Sequence, residues 1–116
     1  MKLKLKISKK NAEHYLWGDQ CDGWHLVNQE DLSIKHERMP SQTVEVRHYH
    51  NKSRQFFFVL IGTATLEVNG ELKQIEKYEG IEVPPDVPHQ MMNKSDEDIE
   101  FLVISQPTST GDRVIL

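Results

Sequence analysis

The chain has 116 residues, of which 37% are hydrophobic and 28% charged, with a formal net charge of −4. That length suits one domain with a modest core, and the acidic balance argues against a nucleic-acid backbone as partner. A single cysteine, Cys21, excludes an internal disulfide, no stretch approaches the length of a membrane span, and the N-terminal lysines are not followed by the apolar run of a secretory leader, so a cytoplasmic protein is expected.

Strand signals recur along the chain and helix signals are weak. Lys2, Lys4 and Lys6 alternate with Leu3, Leu5 and Ile7, the period of a half-buried strand with a lysine-lined face that could add to a neighbouring subunit's sheet. Residues 11–27 are irregular, with Gly18 and Gly23 as turn points. Trp17 and Trp24 are expected to pack a flap onto the fold, Cys21 to be a small core residue, and His14 and His25 to lie on the surface. Strands are expected over 32–39, 43–50, 55–70 with a break at Gly62, 71–80, 81–85, 89–93 and 99–107. Asn69-Gly70 predicts a type I′ hairpin, Gly62 a bend or bulge, and Pro84, Pro85 and Pro88 a stiff loop that ends at His89. Short strands joined by tight turns argue for an antiparallel sandwich or barrel. One domain, 1–116, is expected, made of a strand and flap (1–31), a barrel (32–107) and a tail (108–116).

The chemistry concentrates in two segments. His48 and His50 are spaced i, i+2, so on a strand both rings leave one face. Continuing the alternation backwards puts Val44 and Val46 on that face and Thr43, Glu45, Arg47 and Tyr49 on the other. The histidine pair then lies inward, where an unpaired imidazole is costly. With His89 from PPDVPHQMMN, it makes a donor set for a divalent transition metal; iron, manganese, nickel, zinc and cobalt are all compatible. His36 and Arg38 follow Leu32 and Ile34 on one face and are expected at the barrel mouth. There Arg38 either holds a substrate carboxylate or forms a rim salt bridge. Phe57, Met91 and Phe101 are expected to line an apolar pocket. No Ser/His/Asp arrangement, phosphate-binding glycine loop or carboxylate pair stands out.

These segments resemble the two motifs of the cupin superfamily. His48-Tyr49-His50, four residues, Gln55, six residues and Gly62 follow the first motif, and Pro84, His89 and Asn93 the second, together covering about residues 32–107. The resemblance implies an all-β fold, an antiparallel jelly-roll barrel of the cupin type that closes around the site. It also implies one divalent transition metal ion held by His48, His50, Gln55 and His89, a small-molecule substrate or ligand, and a homodimer. Gln55 stands where the family usually has a glutamate, Asp86 and Tyr78 stand where it has glycines, and the glycine before the histidine pair is absent. Gln55 is either a ligand or an amide hydrogen-bonded inside the barrel. As a ligand it would leave the ion's full charge available, because an amide offers a neutral oxygen. The three-His-plus-Gln set resembles that of small pectin-degradation cupins that open unsaturated uronate rings, although 101–107 lacks the acidic and basic side chains those enzymes place on their last strand. The implied function is a metal-dependent dioxygenase, or a sugar-acid isomerase or lyase. The alternative is a non-catalytic cupin that binds a small molecule or a metal.

Overall fold

A computed structural model describes residues 6–116. The expected first strand falls largely outside the described residues; Lys6 and Ile7, its described part, are in no strand. No helix occurs among the described residues, so none is long and apolar enough to cross a membrane. Twelve strands follow in order: β1 (Glu13–Trp17), β2 (Cys21–Asn28), β3 (Ser33–Met39), β4 (Thr43–Val44), β5 (His48–His50), β6 (Arg54–Ile61), β7 (Ala64–Val68), β8 (Glu71–Ile75), β9 (Gly80–Val83), β10 (His89–Asn93), β11 (Ile99–Gln106) and β12 (Arg113–Ile115).

They form two antiparallel sheets, one ordered β1-β2-β3-β11-β6-β9 and the other β12-β5-β10-β7-β8, with β4 also pairing β10. Strict alternation drives the packing. Ile99, Phe101, Val103 and Ser105 of β11 and Gln55, Phe57 and Val59 of β6 point inward, where they meet Leu66, Ile75 and Met91 of the facing sheet. Cys21 is fully buried in this core, as its small apolar side chain suggested.

The expected closed barrel is corrected: the two sheets face each other in a jelly roll without closing. Closure is not needed to assemble the histidines, because β5 and β10 are neighbours in one sheet and His89 is the direct ladder partner of His48.

The turns keep the conformations that the missing glycines would have supplied. Asn69 and Gly70 have φ of 50° and 91°, as the type I′ hairpin between β7 and β8 requires. Gly62 (φ 81°) lies beside Ile99, where an added Cβ would come within 2.9 Å of Cγ2. Tyr78 and Asp86, at the two positions where glycine was expected, have φ of 67° and 66°. An L residue is strained in this region, and aspartate tolerates it better than most. The exposed Asp86 donates its backbone N–H to the His50 carbonyl at 2.7 Å, a bond that glycine retains. Asp86→Gly is therefore expected to stabilise the protein by about 0.5–1 kcal/mol, the relief of strain outweighing the greater freedom of the unfolded chain. A raised urea midpoint with an unchanged slope would show it.

Candidate metal centre

The site begins with a break in the strand that carries the first two histidines. The chain leaves the ladder after Val44 and rejoins it at His48. In the gap, the Glu45 carboxylate accepts the backbone N–H of Met91 at 2.8 Å, while Glu45 N donates to the Met91 carbonyl at 3.0 Å. One residue's side chain thus takes a ladder position, and the alternation slips by one. Thr43 is buried, whereas Val44 and Val46 are 53% and 51% exposed. The expected register through Val44 and Val46 is therefore corrected, although His48 and His50 do point inward.

His48, His50 and His89 are all buried, and each offers a ring nitrogen within 4.8 Å of the others, close enough for the three to hold a metal ion. Their hydrogen bonds define which atoms are free. His48 Nδ1 donates to the Val46 carbonyl (2.7 Å) and His89 Nδ1 to the Val87 carbonyl (3.0 Å), leaving Nε2 of both rings as bare acceptors. Both nitrogens of His50 are buried with no partner among the described residues. Gln55 Nε2 donates to Ser105 Oγ (3.0 Å), which turns Oε1 toward His89 Nε2 at 3.1 Å. With the amide in this orientation, two lone pairs face one another. Such a cluster lacks a positive group, which a metal ion could supply.

A proton fits poorly in that role. Burial pushes the His48 imidazole down to about 3, and burial first, then the neighbouring ring of His89, lowers His50. His89 is likewise lowered by burial. The rings are neutral at physiological pH, the form that ligates metal.

The centre opens onto a cavity of about 280 Å³ that both sheets line. Of the residues expected there, Phe57 lines it beside His48, His50 and Gln55. Met91 and Phe101 are instead closed into the core. Arg38 lies outside the lining, its guanidinium held by Asp22 (2.7 Å) and Asp98 (2.8 Å), and His36 binds Glu100 at 2.7 Å. The reason is parity. The Leu32–Ile34–His36–Arg38 face of β3 turns outward, and Ser33, Lys35, Glu37 and Met39 turn inward. Lys35 and Glu37 therefore reach the cavity, and His36 and Arg38 do not.

Two carboxylates meet at this cavity, Glu37 through the parity of β3 and Glu45 through the slip between β4 and β5. Glu37 and Glu45 both line the cavity, with Tyr15 and Trp17 of β1 and Arg113 of β12. Burial pushes Glu45 up to about 8 and raises Glu37 as well. Trp17 packs on the core, as a flap residue would, but also lines the cavity. His25, expected on the surface, has its Nδ1 buried.

The loop after His50 is held from the far end of the chain. Asp112 accepts the backbone N–H groups of Asn51 (3.1 Å), Lys52 (2.9 Å) and Ser53 (2.8 Å), just before Arg113 pairs with His50. Burial opposes the charge, but these bonds hold the carboxyl below its ordinary value of 3.8. A depressed carboxylate stabilises the fold fully above its unfolded value, and that contribution is lost as pH falls through the folded one. Asp112→Ala should therefore cost about 1–2 kcal/mol at neutral pH. Urea curves of variant and wild type should begin to converge as the pH falls below 3.8 and meet only below the lowered folded value.

The chain is thus a small all-β jelly roll in which three converging, buried histidines could hold a metal. The profile for the cupin domain matches residues 35–105, more than half of the chain, and the chain belongs to the cupin family. No curated protein matches it by sequence. Among solved structures it is similar to a predicted oxalate decarboxylase from Thermotoga maritima, with a TM-score of 0.82 at 15% identity over 90% of this chain and 100% of that one. KdgF from Halomonas sp. gives 0.82 at 14% identity over 91% and 96%. A sugar phosphate isomerase of the cupin superfamily from Silicibacter pomeroyi gives 0.79 at 20% identity over 89% and 76%. At these identities the likeness establishes the fold.

Proposed function

We propose that this cupin is a metal-dependent enzyme that moves a proton within a small organic acid, as an isomerase or lyase does. In this reading His48, His50, His89 and the carbonyl of Gln55 hold one divalent transition ion. The observation that carries the reading is a shortage of positive charge: both ring nitrogens of His50 are unpartnered, Gln55 Oε1 faces His89 Nε2, and His48, His50 and Gln55 line a cavity with ionisable walls. A bound divalent ion supplies Lewis-acid polarisation of a substrate carbonyl or hydroxyl oxygen. The protein's own groups do the rest. Lys35 and Arg113 give the cavity cationic walls suited to a substrate carboxylate, Phe57 and Trp17 exclude water, and the buried carboxylates can accept and return a proton. The fold alone does not select this chemistry, since cupin relatives carry several names.

The test is turnover. Metal-loaded protein is incubated with unsaturated uronate and D-galacturonate in heavy water, and proton NMR follows C–H exchange and product. Exchange that depends on the metal supports the reading. A bound ion without exchange supports the non-catalytic binding module, and iron with oxygen consumption supports a dioxygenase.

A further inference from the structure

One row of residues crosses three strands above the metal centre. Tyr15 of β1 pairs with Gly23 of β2, and Gly23 pairs with Glu37 of β3. Gly23 has no side chain, and the Tyr15 ring occupies the space that one would need: a Cβ there would lie 2.1 Å from Tyr15 Cζ and 2.4 Å from its hydroxyl oxygen. The ring lies across the glycine, and its hydroxyl donates a hydrogen bond to Glu37 Oε2. The His25 ring lies tilted against it at 4.6 Å between centroids, and Lys35 Nζ lies 5.8 Å from its centroid. Tyr15 and Glu37 both line the cavity that His48, His50 and Gln55 line. The ring covers the bare backbone of its cross-strand glycine, and its hydroxyl end is thereby set on a cavity carboxylate.

We propose that Glu37 is the proton-transfer base of this cavity, that Tyr15 orients it, and that Gly23 exists to let Tyr15 reach it. This rests on the proton-transfer reading above and names its residues. The Glu37 carboxylate takes a proton from a substrate carbon beside a carbonyl. The C–H electron pair becomes the enolate C=C bond, and the carbonyl π pair moves onto its oxygen. Where the carbon that loses the proton bears a hydroxyl, Glu37 then returns the proton to the former carbonyl carbon. The C=C pair forms that C–H bond, the O–H pair of the neighbouring hydroxyl becomes the new C=O bond, and the hydroxyl proton passes to the first oxygen. No oxidant or co-reactant is consumed. Tyr15 keeps its own proton throughout, because burial and the Glu37 charge both raise its pKa.

The groups that face Glu37 are Tyr15 from β1, Lys35 on its own strand, Glu45, and Arg113 from β12, with the histidine cluster beyond. Burial raises Glu37, while the Tyr15 hydrogen bond, Lys35 and Arg113 pull it back down. Removing the tyrosine hydroxyl should therefore move the acidic limb of the kcat profile to higher pH.

The experiment compares wild type, Glu37→Gln, Tyr15→Phe and Gly23→Ala, each metal-loaded and assayed for C–H exchange on the same two uronates. Metal content and thermal midpoint are measured alongside to show that each variant is folded and loaded. Glu37→Gln should lose about 100- to 10,000-fold in kcat with KM nearly unchanged and metal retained. Tyr15→Phe and Gly23→Ala should lose roughly tenfold and share the upward shift of the acidic limb. Wild-type exchange in loaded Glu37→Gln would overturn this assignment while leaving the proposed function standing. Absence of exchange in loaded wild type would overturn both.

Discussion

Protein purified without a histidine tag should carry about one divalent transition ion per chain, and His48→Ala/His50→Ala should carry none. The argument is one of unmet demand. His50 presents two buried nitrogens without partners, and backbone carbonyls hold His48 and His89 with Nε2 bare. An unsatisfied buried polar atom costs about 1–3 kcal/mol, so the two unpartnered nitrogens of His50, beside the free Nε2 atoms of its neighbours, favour a bound ion. Metal that binds the folded chain alone, at about a thousand times its Kd, stabilises it by roughly 4 kcal/mol. Wild type should then melt more than about 10 °C higher with metal than after chelation. The double variant should melt at one temperature in both conditions. Elemental analysis and paired melting curves read both outcomes. If wild type binds no ion after reconstitution, the histidines serve some other ligand.

Gln55→Glu carries the second large effect. If the amide oxygen is a ligand, a carboxylate in its place adds charge attraction to the ion. Unit charges about 4 Å apart at an effective dielectric near 20 attract by about 4 kcal/mol. Desolvation of the new carboxylate takes back part of this, so a net gain of roughly 10- to 100-fold in affinity is expected. Activity on an anionic substrate should fall, because the site then presents less positive charge. Turned the other way, the amide would donate to His89 Nε2 and accept from Ser105, and no ion would be needed there. A glutamate has no N–H to donate, so in that arrangement Gln55→Glu destabilises the metal-free protein and leaves affinity flat. Calorimetric titration with manganese, beside urea curves of the metal-free protein, separates the two.

What could be read from the chain were features with short-range causes. The i, i+2 spacing of His48 and His50, the Asn69-Gly70 turn and the proline-stiffened approach to His89 are local, and each is found in place. Period-two patterning also marked most strands, because a half-buried strand must alternate. Alternation has no absolute phase, however, and that was decided by tertiary structure. On β3 the apolar Leu32–Ile34 face turned outward and placed Lys35 and Glu37, not Arg38, at the cavity. Between β4 and β5 a hydrogen bond from the Met91 N–H to the Glu45 carboxylate accompanies a phase shift of one, so Val44 and Val46 are exposed while the histidines are not.

Partners distant in the chain were equally out of reach. Nothing in the sequence near Tyr15 points to Glu37, and Asp112 gives no sign that it holds the loop after His50. These contacts exist because two sheets bring remote strands into register, and register is set by the summed packing of the core rather than by any one motif. The converging histidines were therefore legible in the sequence, while the residues that wall the cavity beside them were decided only when the two sheets packed together.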